Sequence, residues 1–216
     1  DQVREGNGKV VQALSPERAR EAVAGYENEK RIMLTEGQRK AAEHILSATD
    51  KVIGVQGDAG TGKTTVLGIV REELEKKDYH VRGLAHTGKA ADEIERSSGI
   101  SSQTVDSFLG DNSTQNNSEI WVVDEASMLG SRRMSELLEQ ARQTGARIVF
   151  VGDTKQLQAI DAGRMFSKLQ ESGAMKTVQM TENIRQQDEI YKDIARSVAE
   201  KKLDHAFAKL EEKWAS

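Results

Sequence analysis

From Leu34 onward, short apolar runs alternate with longer stretches in which apolar residues recur at helical spacing. That alternation predicts successive βαβ units and an α/β fold with a mostly parallel sheet and helices on both faces. Strands are expected at 51–56, 80–86, 120–124, 147–151 and 176–180. IWVVDE (120–125) and ARIVFVGD (146–153) are nearly continuous apolar runs, as central strands covered on both faces must be. Each ends in carboxylates at its C-terminal edge, where ligands bind in open α/β sheets. Between the strands, 65–77 reads as a helix, and Met134, Leu137, Leu138 and Ala141 form a second helix face stopped by Gly145. Ile190, Ile194 and Val198 form one stripe near the C-terminus, and Leu203, Phe207 and Leu210 another; both read as core faces. Residues 1–33 read as a polar lead-in segment with one helix, capped by Ser15 and opened by Pro16. The polar run 111–118 reads as a surface loop.

Composition narrows the class. The 216 residues amount to one generous domain or a domain with appendages, and no apolar run reaches membrane-spanning length. No signal peptide is read at the N-terminus, so a soluble, cytoplasmic protein without membrane insertion is expected. With no cysteine, a disulfide framework and a thiolate metal site are excluded, and the four histidines show no ligand spacing. Any metal is therefore expected to arrive with a nucleotide. A net charge of −4 argues against a broadly basic nucleic-acid binder but leaves room for a local basic groove. A start at Asp1 rather than Met suggests a piece of a longer chain.

GDAGTGKT (57–64) fits G-x-x-x-x-G-K-[ST] and lies between a predicted strand and a predicted helix. A glycine-rich turn entering a helix points backbone N–H groups at one spot, where the helix dipole also favours phosphate. Gly57 and Gly62 allow the tight path, with Asp58, Ala59, Gly60, Thr61 and the following Thr65 completing the phosphate-binding run. Lys63 can reach the β- and γ-phosphates of ATP or GTP, and Thr64 offers a hydroxyl to Mg²⁺. Asp124 and Glu125 supply adjacent strand-end carboxylates, suited to metal and attacking water respectively. Gln156, in the loop after the next strand, can meet the γ-phosphate or its water, and Arg185 can approach as a bidentate cation or serve as a surface ion-pair partner. Thr35 and Gln38 form a capping box, while the Gln38 amide also suits an adenine edge. Thr87 and Lys89 open a helix in a way that suits a phosphodiester backbone or simply starts the helix. Phe108 is either a base-stacking side chain or a core phenylalanine.

Taken in order, LTEGQRKA, GDAGTGKTT, GLAHTGKAADEIE, SSQTVDSFL, VVDEASM, FVGDTKQLQAIDAGRMF and MTENIRQ resemble the motifs of the first motor domain of RecD-like superfamily 1 helicases. The resemblance covers roughly 34–200 and is strongest to the helicase part of conjugative relaxases of the TraI and TraA kind. It implies a RecA-like P-loop NTPase domain that hydrolyses ATP with Mg²⁺ and moves 5′ to 3′ on single-stranded DNA. It also implies roles by position: Gln38 to adenine, Lys63 to phosphate, Thr64 and Asp124 to Mg²⁺, Glu125 to water, Gln156 to γ-phosphate sensing and Arg185 to transition-state charge. Thr87, Lys89 and Phe108 would touch DNA. Such motors use a second RecA-like domain, so 201–216 is expected to lead toward one, the conjugation machinery becomes a candidate partner, and weak hydrolysis is expected of these residues alone. A RecD-type repair helicase and a non-hydrolysing DNA-binding module are the competing readings.

Overall fold

The computed structural model describes residues 2–58, 60–111, 118–153 and 164–181. Six strands, β1 (Val52–Gly57), β2 (His80–Ala85), β3 (Ser102–Thr104), β4 (Glu119–Val123), β5 (Arg147–Gly152) and β6 (Lys176–Met180), form one sheet in the order β3-β2-β4-β5-β1-β6. Every pairing is parallel, so all six C-terminal ends lie along one edge. After β1 the chain crosses over the places of β5 and β4 to reach β2. That reversal of direction leaves a crevice at the C-terminal end of β1.

Eight α-helices accompany the strands among the described residues: α1 (Gln2–Glu5), α2 (Pro16–Lys30), α3 (Glu36–Ser47), α4 (Lys63–Glu75), α5 (Gly88–Ser98), α6 (Val105–Gly110), α7 (Ser131–Thr144) and α8 (Arg164–Glu171). The period-two alternation of the central strands sorts their side chains between two cores. Ile53, Val55, Val149 and Val151 share a buried cluster with residues of α2 to α5, whereas Val52, Ile148 and Phe150 share one with α6, α7 and α8. Both clusters consist of residues under a tenth exposed, which is why β4 and β5 carry no polar face. None of the helices among the described residues is long and apolar enough to cross a membrane.

The five strands expected from the apolar pattern are present within a residue or two. The polar Ser102–Thr104 strand is additional, held to Gly83–Ala85 of β2 by parallel pairing. Helix α2 starts as expected, with Ser15 Oγ accepting from the Arg18 N–H at 3.3 Å. Leu14, Ala19 and Val23 enter the same core as the strands, and the Val10 and Leu14 N–H groups donate to the Thr49 and Leu46 carbonyls at 2.9 and 3.0 Å. The two C-terminal stripes, the 112–117 part of the polar loop, and Ala59, Gln156 and Arg185 lie outside the described residues.

Phe108 is a correction. It is 1 % exposed and meets Trp121 edge-on with ring centroids 4.7 Å apart. The short helix α6 places it under β4, where an edge-to-face pair adds about 0.5–1.5 kcal/mol beyond area burial. It is a core side chain and does not stack on a base.

Candidate nucleotide site

The glycine-rich loop leaves β1 at Gly57 and enters α4 at Lys63. Gly60 and Gly62 have φ of 85° and 77°, the left-handed region that glycine occupies without a Cβ penalty. A Cβ on Gly57 would stand 2.8 Å from Thr61 Oγ1, so this glycine is required by close approach. Thr61, 1 % exposed, donates its hydroxyl to the Asp58 carbonyl at 2.9 Å and closes the loop on itself. Gly62 offers no side chain to cap α4, so the first N–H groups of that helix have no side-chain acceptor at their N-cap. Lys63 Nζ donates to the Gly57 and Asp58 carbonyls at 2.7 and 3.4 Å, which holds the ammonium across the loop.

Asp124 follows β4 along the same edge, its N–H donating to the Leu84 carbonyl at 2.9 Å. Burial pushes its carboxyl above the ordinary carboxylate range, while the Glu125 N–H and the Lys63 charge hold it down. The Glu125 N–H reaches Asp124 Oδ1 at 2.8 Å. A half-buried carboxylate within the field of the loop lysine fits a divalent cation, which would supply the opposing charge. Glu125 has φ 51°, and that left-handed turn keeps its side chain exposed while the next residues, Ala126 and Ser127, are buried.

Gln38 serves the capping box in full: its Oε1 accepts from the Thr35 N–H at 2.9 Å and its N–H donates to Thr35 Oγ1 at 3.2 Å. Its Nε2 also donates to the Gly62 carbonyl at 3.3 Å, tying α3 to the phosphate loop. Gln38 is 2 % exposed, and these three bonds account for its placement. Thr87 caps α5 by accepting from the Ala90 N–H at 3.2 Å, and with Lys89 it is exposed just beyond β2 on the same edge. Thr64 and Thr65 are half-buried in the first turn of α4.

Asp153 received no individual role from the sequence. It is 6 % exposed, follows β5 directly, and accepts from Gln56 Nε2 at 3.4 Å. Its signal was the same as that of Asp124, an acid closing an apolar run.

A strand, a glycine loop and a helix in this order occur in many nucleotide-binding families. The family model described as "AAA domain" matches residues 33–214, well over half of the chain. The chain belongs to the AAA domain family. This AAA domain is a RecD-like helicase motor domain related to those of conjugative relaxases. It is 41 % identical over 137 residues to the probable conjugal transfer protein TraA of Sinorhizobium fredii, covering 62 % of this chain and 12 % of that protein. To the multifunctional conjugation protein TraI of Escherichia coli it is 36 % identical over 190 residues, covering 82 % of this chain and 11 % of that protein. To the ATP-dependent RecD2 DNA helicase of Deinococcus radiodurans it is 34 % identical over 161 residues, covering 71 % of this chain and 22 % of that protein. The chain thus spans only a small part of these relatives. Among solved structures, the Pif1 helicase of Candida albicans shares the fold, with a TM-score of 0.53 at 21 % identity over 77 % of this chain and 44 % of that one.

Proposed function

We propose that this AAA domain binds ATP with Mg²⁺ and hydrolyses it to drive 5′-to-3′ movement on single-stranded DNA, as the first motor domain of a helicase in conjugative plasmid transfer. The observation that carries the reading is the gathering of the phosphate loop, with Lys63 drawn across it, and the half-buried Asp124 along one sheet edge within electrostatic reach of each other. The TraA and TraI relatives support the conjugative setting.

In this reading the N–H groups of the loop and of the α4 N-terminus surround the phosphates, and Lys63 exchanges its bonds to the Gly57 and Asp58 carbonyls for phosphate oxygens. Thr64 and Asp124 hold Mg²⁺, which when bound neutralises charge on the phosphate oxygens. Glu125, exposed beside Asp124, takes the proton of the attacking water. Gln156 senses the γ-phosphate and Arg185 meets the charge that develops there. Gln38, 2 % exposed as it stands, would meet the adenine edge once nucleotide binding opens its surroundings. Thr87 and Lys89 contact the DNA backbone farther along the edge. A second motor domain of the same polypeptide is the expected partner in turnover.

Binding is the decisive assay, because turnover also draws on that second domain. A titration with fluorescent ATP and Mg²⁺ should give an affinity about 10- to 100-fold weaker in Lys63→Ala, as expected when a charged hydrogen-bond donor is removed. Equal affinities in parent and variant would favour a domain that kept the fold and lost the chemistry.

A further inference from the structure

Strand β1 carries one polar side chain, Gln56, immediately before the phosphate loop. Ile53 and Val55 enter the core shared with α2 to α5, so by alternation Gln56 sides with Val52, toward the core that α8 covers. It is half-buried in a strand whose other residues are buried. An amide in such a place needs partners, because a leucine would be covered there without any. Two are present. Gln56 Nε2 donates to Asp153 Oδ1 at 3.4 Å, and Gln56 Oε1 accepts from Gln170 Nε2 of α8 at 3.4 Å. Both bonds demand the same orientation of the amide, since an ionised carboxylate only accepts and the oxygen is left for Gln170.

Helix α8 is itself fixed at the end of β5. Phe166 is 0 % exposed, its ring centroid lies 6.5 Å from that of Phe150, and a Cβ on Gly152 would stand 3.0 Å from its ring. Gln170, four residues on, shares the face of α8 that Phe166 packs. The anchored helix therefore holds Gln170, Gln170 holds the Gln56 amide, and the amide holds Asp153.

The place of Asp153 gives this chain of bonds a use. Strand β5 lies between β4, which ends in Asp124, and β1, which ends in the loop. Neighbouring strands stand about 4.8 Å apart, so the ends of β4 and β1 are about 10 Å apart with the end of β5 midway. Gly152 is the register partner of Gln56, and Asp153 follows it beside Gly57, where the loop begins. Asp153 is 6 % exposed. A cation shared between Asp124 and phosphates on the loop would sit over this acid, and Mg²⁺ keeps several waters that such an acid can hold.

We infer that Gln56 is a positioning residue of the metal site: its amide, locked by Gln170 of α8, aims Asp153 at the waters of the Mg²⁺ that comes with the nucleotide. This assignment rests on the ATP and Mg²⁺ reading given above. It makes α8 part of the support of the metal site.

The test measures ATP affinity of the full chain in Mg²⁺ and in EDTA, by competition with a fluorescent nucleotide. In the parent, Mg²⁺ tightens ATP binding. Gln56→Leu keeps the bulk and removes the amide; it lowers the gain from Mg²⁺ about tenfold, as loss of an outer partner of a metal site does, and leaves affinity in EDTA within about twofold. Gln170→Leu, a helix residue away from the phosphates, lowers the same gain by less, and it decides the matter if Gln56→Leu does not fold. An unchanged gain in the variants overturns the inference, and so does an equal fall in Mg²⁺ and in EDTA, the mark of a merely loosened fold. In either case, loss of the gain in Asp124→Asn would still uphold the ATP and Mg²⁺ reading. A parent whose ATP affinity ignores Mg²⁺ overturns that reading, and the inference with it.

Discussion

Glu125 combines an exposed carboxylate with a backbone conformation that suits glycine, and the two properties can be separated by substitution. Its φ and ψ of 51° and 38° lie in the left-handed region. The strain is held in place locally. The Glu125 N–H donates to Asp124 Oδ1 at 2.8 Å, its carbonyl accepts the Met128 N–H at 2.7 Å, and Ala126 and Ser127 are 0 % and 1 % exposed. A residue with a Cβ in this conformation costs about 1–2 kcal/mol. Glycine escapes that cost but loses about 0.5–1 kcal/mol more backbone freedom on folding. Glu125→Gly should therefore be more stable than Glu125→Ala by about 1 kcal/mol, which for a domain of this size is a Tm difference of about 2–4 °C. Urea denaturation at constant m-value measures the same difference independently. Both variants lack the carboxylate and should equally lose any ATP hydrolysis the parent shows, so the gain in stability comes without function. That is the pattern expected where strain is retained at a working site. An alanine variant as stable as the glycine variant would refute the strain argument.

Further outcomes follow from other parts of the edge. Because burial raises the Asp124 pKa in the folded chain, the folded state favours the protonated acid, and stability falls as pH rises from below the usual carboxylate range through the raised value. In the absence of Mg²⁺, Asp124→Asn should thus be more stable than the parent at neutral pH, with the advantage vanishing near pH 3, while Mg²⁺-dependent ATP affinity is lost; chemical denaturation across pH and nucleotide titration check the two halves. On the DNA side, Lys89→Ala should weaken binding to single-stranded DNA and reduce the salt dependence by roughly one unit of slope. Phe108→Leu should leave that binding unchanged, and Phe108→Ala should cost about 3–5 kcal/mol of stability as a core cavity.

The parts of this molecule legible in its sequence are those where one physical demand acts alone. β4 and β5 are buried on both faces, and only unbroken apolar runs satisfy that. The phosphate loop is legible because Gly57 must let Thr61 approach and Gly62 must adopt positive φ, and no other residue type does both cheaply. β3 escaped notice because Ser102–Thr104 has no apolar side chain, and it exists only through pairing with β2. Phe108 was ambiguous because a single aromatic residue in a short helix carries no period, and its partner Trp121 lies on another element. The capping role of Gln38 was local and readable, whereas its bond to Gly62 spans two helices.

The central claim is that the phosphate loop, the end of β4 and the end of β5 surround one metal-bound nucleotide. Localised cleavage tests it directly: Fe²⁺ with ATP and a reductant generates radicals that cut the backbone only close to the metal. The account predicts ATP-dependent cuts near 57–64, 123–125 and 151–153, suppressed by excess Mg²⁺. Cuts confined to one of these segments, or falling on the opposite sheet edge near Lys51 and Ala146, would contradict it.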